Sequence, residues 1–355
     1  MNELNDLVSI SKYAGERFDL VQAGGGNSSV KLNDNTMLIK ASGFLLSDVE
    51  LDNGYSTVLT NETAAILGSS ELSKLVDKRE RETVTASLVT KATIDKVNRP
   101  SIETLLHSIL MKYTLHTHPV VVNMIVIQKN WRELLNEIFK NDDIALVEYE
   151  TPGIELATVL RDAINTFSEP PKIIFLQNHG LIVTSDNVDD IRILTEYVVN
   201  KIEEFLSIDM SRYKKVSKIS NIVNHIEPSN NIAYLSEDLI INELLAANKS
   251  LFFVPTFCPD KLVYCGINAV EIIDLDELGE INNYFSQYSE LPKIIIFGEL
   301  IFLISKNIKK AKEIEEVLKF HLMTLAPNYS NVNFLEMDEL AYLNNWEAEK
   351  FRQNI

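Results

Sequence analysis

The chain has 355 residues, 46% of them apolar, which is enough for two hydrophobic cores and long for a single domain. Its formal charge of −18, from 33 basic and 51 acidic residues, argues against nucleic acid or an anionic membrane as partner, since both are held through basic patches. Two cysteines, Cys258 and Cys265, are too few for a disulfide framework and point to a reducing, cytoplasmic setting.

At the amino end Asn2, Glu3, Asn5 and Asp6 interrupt any apolar core, so no secretory leader is expected. Residues 3–18 carry a mixed helical pattern and lead into Gly24-Gly25-Gly26-Asn27-Ser28-Ser29. Glycines let backbone amides approach an anion, and Asn and Ser add donors, so this loop suits a phosphate. It matches neither the dinucleotide fingerprint nor the Walker pattern. The turn Asn33-Asp34-Asn35 joins 29–32 to 37–41 in a predicted β-hairpin that ends at Ser42-Gly43. Residues 70–97 are charged and in part helical. After Arg99-Pro100, a helix is predicted from Ser101, its N-cap, through Glu103 to His107.

That helix feeds a strand ending in His116-Thr117-His118-Pro119. Side chains two apart on a strand share a face, so the two imidazoles make half of a divalent-metal site. A third, His179, stands in Gln177-Asn178-His179-Gly180, just beyond a predicted buried strand over 172–176. Three histidines with an open fourth position form the arrangement of a catalytic zinc, although imidazoles also suit other divalent ions. His107 reads as a buried, hydrogen-bonded histidine and not as a fourth ligand. The longest apolar stretch, 120–127, is too short to span a bilayer. Helices over 130–140, 155–167 and 188–206, with a short strand over 181–184, complete an alternating α/β pattern.

Four regions are expected: a metal domain over 1–206, a polar linker over 207–232, a smaller α/β domain over 233–326, and a helical tail over 327–355. The smaller domain carries an echo of the first. Pro171-Lys172-Ile173-Ile174-Phe175 through Ser185-Asp186-Asn187-Val188 finds a counterpart in Pro292-Lys293-Ile294-Ile295-Ile296 through Ser305-Lys306-Asn307-Ile308. Aligned on the serines, Glu299 falls where His179 stands and Leu300 where Gly180 stands. Leu262-Val263-Tyr264-Cys265-Gly266 similarly echoes Leu38-Ile39-Lys40-Ala41-Ser42-Gly43. Residues 233–326 are therefore either a degenerate, partial copy of the first fold without its ligands or an accessory α/β domain with a generic strand-turn-helix resemblance.

Taken together, the motifs resemble the class II aldolase/adducin superfamily. They are Gly-Asn-Ser-Ser at 26–29, Ala-Ser-Gly at 41–43, Arg-Pro-Ser-Ile-Glu-Thr at 99–104, His-Thr-His-Pro at 116–119 and Asn-His-Gly at 178–180. Their wording looks closest to the aldolase part of rhamnulose-1-phosphate aldolase/dehydrogenase proteins. The resemblance implies a three-layer α/β/α domain in which His116, His118 and His179 hold zinc and Glu103 is the acid/base. It implies that Asn27, Ser42, Gly43 and Ser101 bind the substrate phosphate. Ile102 stands where a second hydroxyl residue is usual, with Lys31 or Lys40 as candidate replacements for the missing bond. Tyr149 and Glu150 are candidates for a second proton donor. The implied activity is that of a zinc-dependent lyase acting on a small phosphorylated ketose through a metal-stabilised enediolate, in a homo-oligomer. An epimerase or decarboxylase follows the same logic. A non-catalytic, adducin-like binding module is the alternative from another class, and the intact triad counts against it.

Overall fold

Along 173–176 every residue is apolar, and the strand is buried on both faces: Ile173 and Phe175 enter one core, Ile174 and Leu176 another. A strand of that kind needs helices on both sides. The computed structural model supplies them. It describes residues 2–343 apart from 96, 277, 337, 340 and 341, and every count below is of those residues. The chain divides into one unit up to Met210 and another from Ser211.

The first unit runs α1 (Asn2–Gly15), β1 (Asn27–Lys31), β2 (Thr36–Lys40), β3 (Tyr55–Leu59), α2 (Thr60–Ala65), α3 (Lys78–Ala92), α4 (Thr104–Ser108), β4 (Tyr113–Thr117), α5 (Val120–Val126), α6 (Trp131–Ile138), β5 (Ile144–Val147), α7 (Ile154–Ile164), β6 (Ile173–Leu176), β7 (Gly180–Ser185) and α8 (Val188–Leu206). Its strands form a seven-stranded sheet in the order β3-β2-β1-β4-β7-β6-β5, antiparallel except for β5 beside β6. Helices α1, α5, α6 and α8 pack on one face and α3, α4 and α7 on the other, which makes three layers. Local signals fix the ends of these helices. Asn187 caps α8 by accepting from the Asp189 amide, Asp189 and Asp190 favour its positive end, and Ser207 closes it at φ 54°.

Sequence reading misses β3, α2, β5 and α5. The run 120–127 is a helix whose Val121, Val122, Ile125 and Val126 are buried, and a short, wholly apolar segment has no periodicity to declare its type. Helix α4 starts at Thr104, later than expected. Ser101 precedes it, accepting the Glu103 amide on Oγ at 3.2 Å and the Thr104 amide on its carbonyl at 3.2 Å.

The second unit runs α9 (Ser211–Ile226), β8 (Ile232–Leu235), α10 (Leu239–Ala247), α11 (Pro259–Cys265), β9 (Val270–Ile272), α12 (Gly279–Tyr288), β10 (Ile294–Phe297), β11 (Leu300–Ser305) and α13 (Ile308–Leu325). The expected linker over 207–232 is largely helix α9. Its Val216, Ile219, Ile222 and Val223 form an inward stripe at helical spacing, hidden in the sequence among lysines, serines and asparagines. The tail helix expected over 327–355 falls mostly on residues outside those described, including Leu340 and Trp346.

The sheet order β8-β11-β10-β9 repeats β4-β7-β6-β5, with antiparallel, antiparallel and parallel pairings in the same sequence. Ser185 pairs with Tyr113, and Ser305 pairs with Ile232. Counting along the strands from those pairs puts Leu235 in the place of His116 and Glu237 in that of His118. The turns correspond as well: Asn178 (φ 53°) precedes His179 as Gly298 (φ 61°) precedes Glu299. The second echo fails, because 262–265 lie in α11 whereas 38–40 lie in β2. Nothing in the second unit's sheet corresponds to β1, β2 or β3. Among the described residues no helix is long and apolar enough to cross a membrane.

Candidate metal centre

His116 is on β4, between β1 and β7, with its ring buried. His118 follows the strand, held by its amide on the Leu20 carbonyl at 2.9 Å. His179 sits in the β6–β7 turn, which the left-handed Asn178 makes tight. The three Nε2 atoms converge: His116 lies 3.1 Å from His118 and 3.2 Å from His179. One Glu103 carboxylate oxygen is 3.5 Å from Nε2 of both His116 and His179. His107 stands apart from this group; its Nδ1 meets the Ser29 hydroxyl at 2.7 Å.

These residues fit a divalent ion. The Leu181 carbonyl, 3.0 Å from His116 Nδ1, accepts a hydrogen bond from Nδ1–H, which keeps the neutral ring's proton there and leaves the Nε2 lone pair pointing at the other two imidazoles. Ligand nitrogens about 2.0–2.1 Å from a tetrahedral zinc are roughly 3.3 Å apart, close to the separations found here. Burial holds the rings neutral, which is the ligating form. It pushes His116 down to about 3, aided by His179, and His118 down to about 4, aided by His116. His179 is lowered by the same cause. Its Nδ1 is buried without a hydrogen-bond partner among the described residues.

The glycine run serves this centre more directly than it serves an anion. A Cβ at Gly25 would stand 2.7 Å from His118 Nδ1, and one at Gly26 would stand 2.9 Å from the His116 carbonyl. Gly180 likewise lets the β6–β7 turn approach His118, whose Cδ2 is 3.1 Å from where a Cβ would be. Of the three glycines in the run, Gly24 alone faces open space.

Of the other residues singled out by sequence, Ser42 and Gly43 come next to the segment bearing Ser101 and Glu103. Ala41 bridges Pro100, and the Ser42 amide donates to the Arg99 carbonyl at 2.8 Å, so Ser42 and Gly43 lie beside Ser101. Gly43 has φ 88° and open space above it. Asn27 pairs with His116 across β1–β4, and its buried Nδ2 has no partner among the described residues. Lys31 is committed elsewhere, donating to the carbonyls of Ser108 and Leu110, so it does not stand in for the hydroxyl absent at Ile102. Lys40 is buried with one weak contact, to the Ala41 carbonyl at 3.4 Å. Glu150 pairs with Lys78 at 3.0 Å, and Tyr149 is exposed.

Fold and site thus define a three-layer α/β domain with a buried three-histidine centre and an adjoining carboxylate. The chain belongs to the class II aldolase and adducin N-terminal domain family, whose model matches residues 5–206. Among solved structures it is similar to the N-terminal class II aldolase domain of a conserved protein from Thermoplasma acidophilum, with 24% identity and a TM-score of 0.48 over 57% of this chain and 93% of that one. It is also similar to a sugar-phosphate aldolase from Thermotoga maritima, at 15% identity and a TM-score of 0.40 over 58% and 94% of the two chains. An L-fuculose 1-phosphate aldolase from Glaciozyma antarctica is similar at 13% identity and a TM-score of 0.39, over 64% and 89%. No curated protein matches the chain significantly.

Proposed function

We propose that the protein is a zinc-dependent aldolase that cleaves or condenses a small phosphorylated ketose. The observation that carries this reading is the convergence of three Nε2 atoms with Glu103 at 3.5 Å from two of them. His116, His118 and His179 would hold the ion, which when bound supplies Lewis-acid polarisation of the substrate's carbonyl and hydroxyl oxygens. Glu103, nearly buried, is the group that takes and returns the proton at the reacting carbon, help of about 10²–10⁴ in rate. Asn27, Ser42, Gly43 and Ser101 grip the phosphate and so fix which carbon faces Glu103. The Asn27 Nδ2 donor and the open space above Gly43 support that assignment. The motif wording favours a substrate like that of rhamnulose-1-phosphate aldolases, and the family resemblance a cytoplasmic homo-oligomer.

The test is metal analysis of the purified chain with an aldol-condensation screen, pairing dihydroxyacetone phosphate with a panel of aldehydes. Near-stoichiometric zinc should be lost on changing all three histidines to Ala without unfolding. Glu103→Gln should keep the metal and lose about 10²–10⁴ in turnover. Wild-type turnover by that variant would remove Glu103 from its role, and a metal-free protein that condenses the same substrates would end the reading.

A further inference from the structure

The second unit contains a cavity of about 400 Å³, within the range of small-molecule sites. It opens where β10 begins and β11 ends, at the opposite ends of those strands from the turn bearing Glu299. The repeat provides a comparison inside the same chain. At the matching place in the first unit, Lys172 meets Asp190 at 2.6 Å, Ser185 donates to Asp190 at 2.7 Å, and Asp186 accepts the Lys112 amide at 3.1 Å. By strand register Lys172 recurs as Lys293; aligned on Ser185 and Ser305, Asp186 and Asp190 recur as Lys306 and Lys310. Both acids that tie up this corner in the first unit have become lysines.

All three lysines line the cavity. Lys293 donates to the Val263 carbonyl at 2.6 Å, Lys306 donates to the Ser229 carbonyl, and Lys310 pairs with Glu313 at 3.1 Å. Glu227, Glu290 and Glu313 also line it, so charge count alone does not set the ligand's sign. Position does. Burial raises Glu290 and lowers Lys293, so those two offset, whereas Lys306 and Lys310 flank the start of the 18-residue helix α13, whose backbone amides add positive potential. Val263, Leu291, Ile304 and Ile314 supply an apolar wall.

We propose that this cavity binds a small organic oxyanion, a carboxylate or a phosphate monoester with a short apolar body, whose charged head lies at Lys306 and Lys310. The site is independent of the metal centre. It is tested by calorimetry on the full chain carrying His116→Ala, His118→Ala and His179→Ala, and only binding lost on changing Lys306 and Lys310 is counted, because Asn27, Ser42, Gly43 and Ser101 still offer phosphate a place in the first unit. Inorganic phosphate and succinate are the two probes. Binding of phosphate alone assigns the phosphate-ester class, and binding of succinate alone assigns the carboxylate class. Lys306→Asp with Lys310→Asp, which restores the first unit's residues, should weaken binding at least about tenfold while keeping the apo melting temperature. If that pair does not fold, Lys310→Gln takes its place and should weaken binding several-fold. Silence from both probes, or undiminished binding in the folded variant, overturns the proposal.

Discussion

Gly25→Ala separates the metal centre from the fold. The new Cβ would stand 2.7 Å from His118 Nδ1, whereas ordinary contact begins at 3.4 Å, so the imidazole must retreat by about 0.7 Å. Metal–ligand distances tolerate about ±0.2 Å, so the displacement exceeds what one ion can share among three rings. Gln22 offers little relief on the other side, its carbonyl being 3.1 Å from the same Cβ. Metal affinity should therefore fall about 10–100-fold, the scale of losing an orienting contact around a metal ligand. Stability of the metal-free protein should change by less than about 1 kcal/mol, since Gly→Ala also lowers the entropy of the unfolded chain. Competition with a chromophoric chelator gives the affinity, and thermal melts in excess chelator give the stability. Wild-type metal affinity in a folded Gly25→Ala protein would refute the claim that this glycine makes room for a ligand.

Two further perturbations probe other parts of the chain. Arg17 is fully buried, donates to Asp19 at 3.0 Å and also binds Glu196, and the Asp19 and Leu20 carbonyls hold the amides of Val120 and His118. Arg17→Met strands the Asp19 carboxylate and should cost about 3–5 kcal/mol in urea unfolding together with metal affinity; a loss below 1 kcal/mol would count against the network. In the second unit, burial lowers His321 from 6.5 to about 4, and both ring nitrogens lack partners among the described residues. Between those pH values the unfolded chain binds more protons, so stability is present above 6.5 and is lost as pH falls to 4, by up to about 3 kcal/mol. His321→Leu should flatten that part of the stability–pH curve, and an unchanged slope would acquit the residue.

The parts of this molecule legible in the sequence are those where a side chain announces its own geometry. Strand periodicity carries His116 and His118 to one place, and Asn187 with Asp189 and Asp190 marks the start of α8. Backbone partners leave no such mark: nothing in the sequence says that the Leu181 carbonyl orients His116, or that the Leu20 carbonyl tethers His118. Gly25 was legible as a glycine but not as the floor beneath an imidazole, because that depends on how closely two segments far apart in the chain approach. Helix α9 was hidden because its inward stripe includes Ser217 and Ser220 beside Val216 and Ile219, and composition averages the two faces into a polar linker.

The second unit shares the strand order of the metal domain's β4-β7-β6-β5 but not its ligands. What recurs is scaffold: the pairing pattern of β8, β11, β10 and β9, the left-handed residue before the turn position, and an asparagine N-cap, Asn307, matching Asn187. The missing parts are those that bring the centre together. Leu235 replaces His116 and enters the apolar core, while Glu237 and Glu299 replace the other two imidazoles with carboxylates. The elements before β4, including the β1 strand bearing Asn27 and the turn bearing Glu103, have no counterpart in the second unit's sheet. Restoring three histidines there would therefore rebuild ligands without an acid/base beside them. At the other end of the same strands the difference runs the other way, Lys306 and Lys310 standing where the first unit has Asp186 and Asp190.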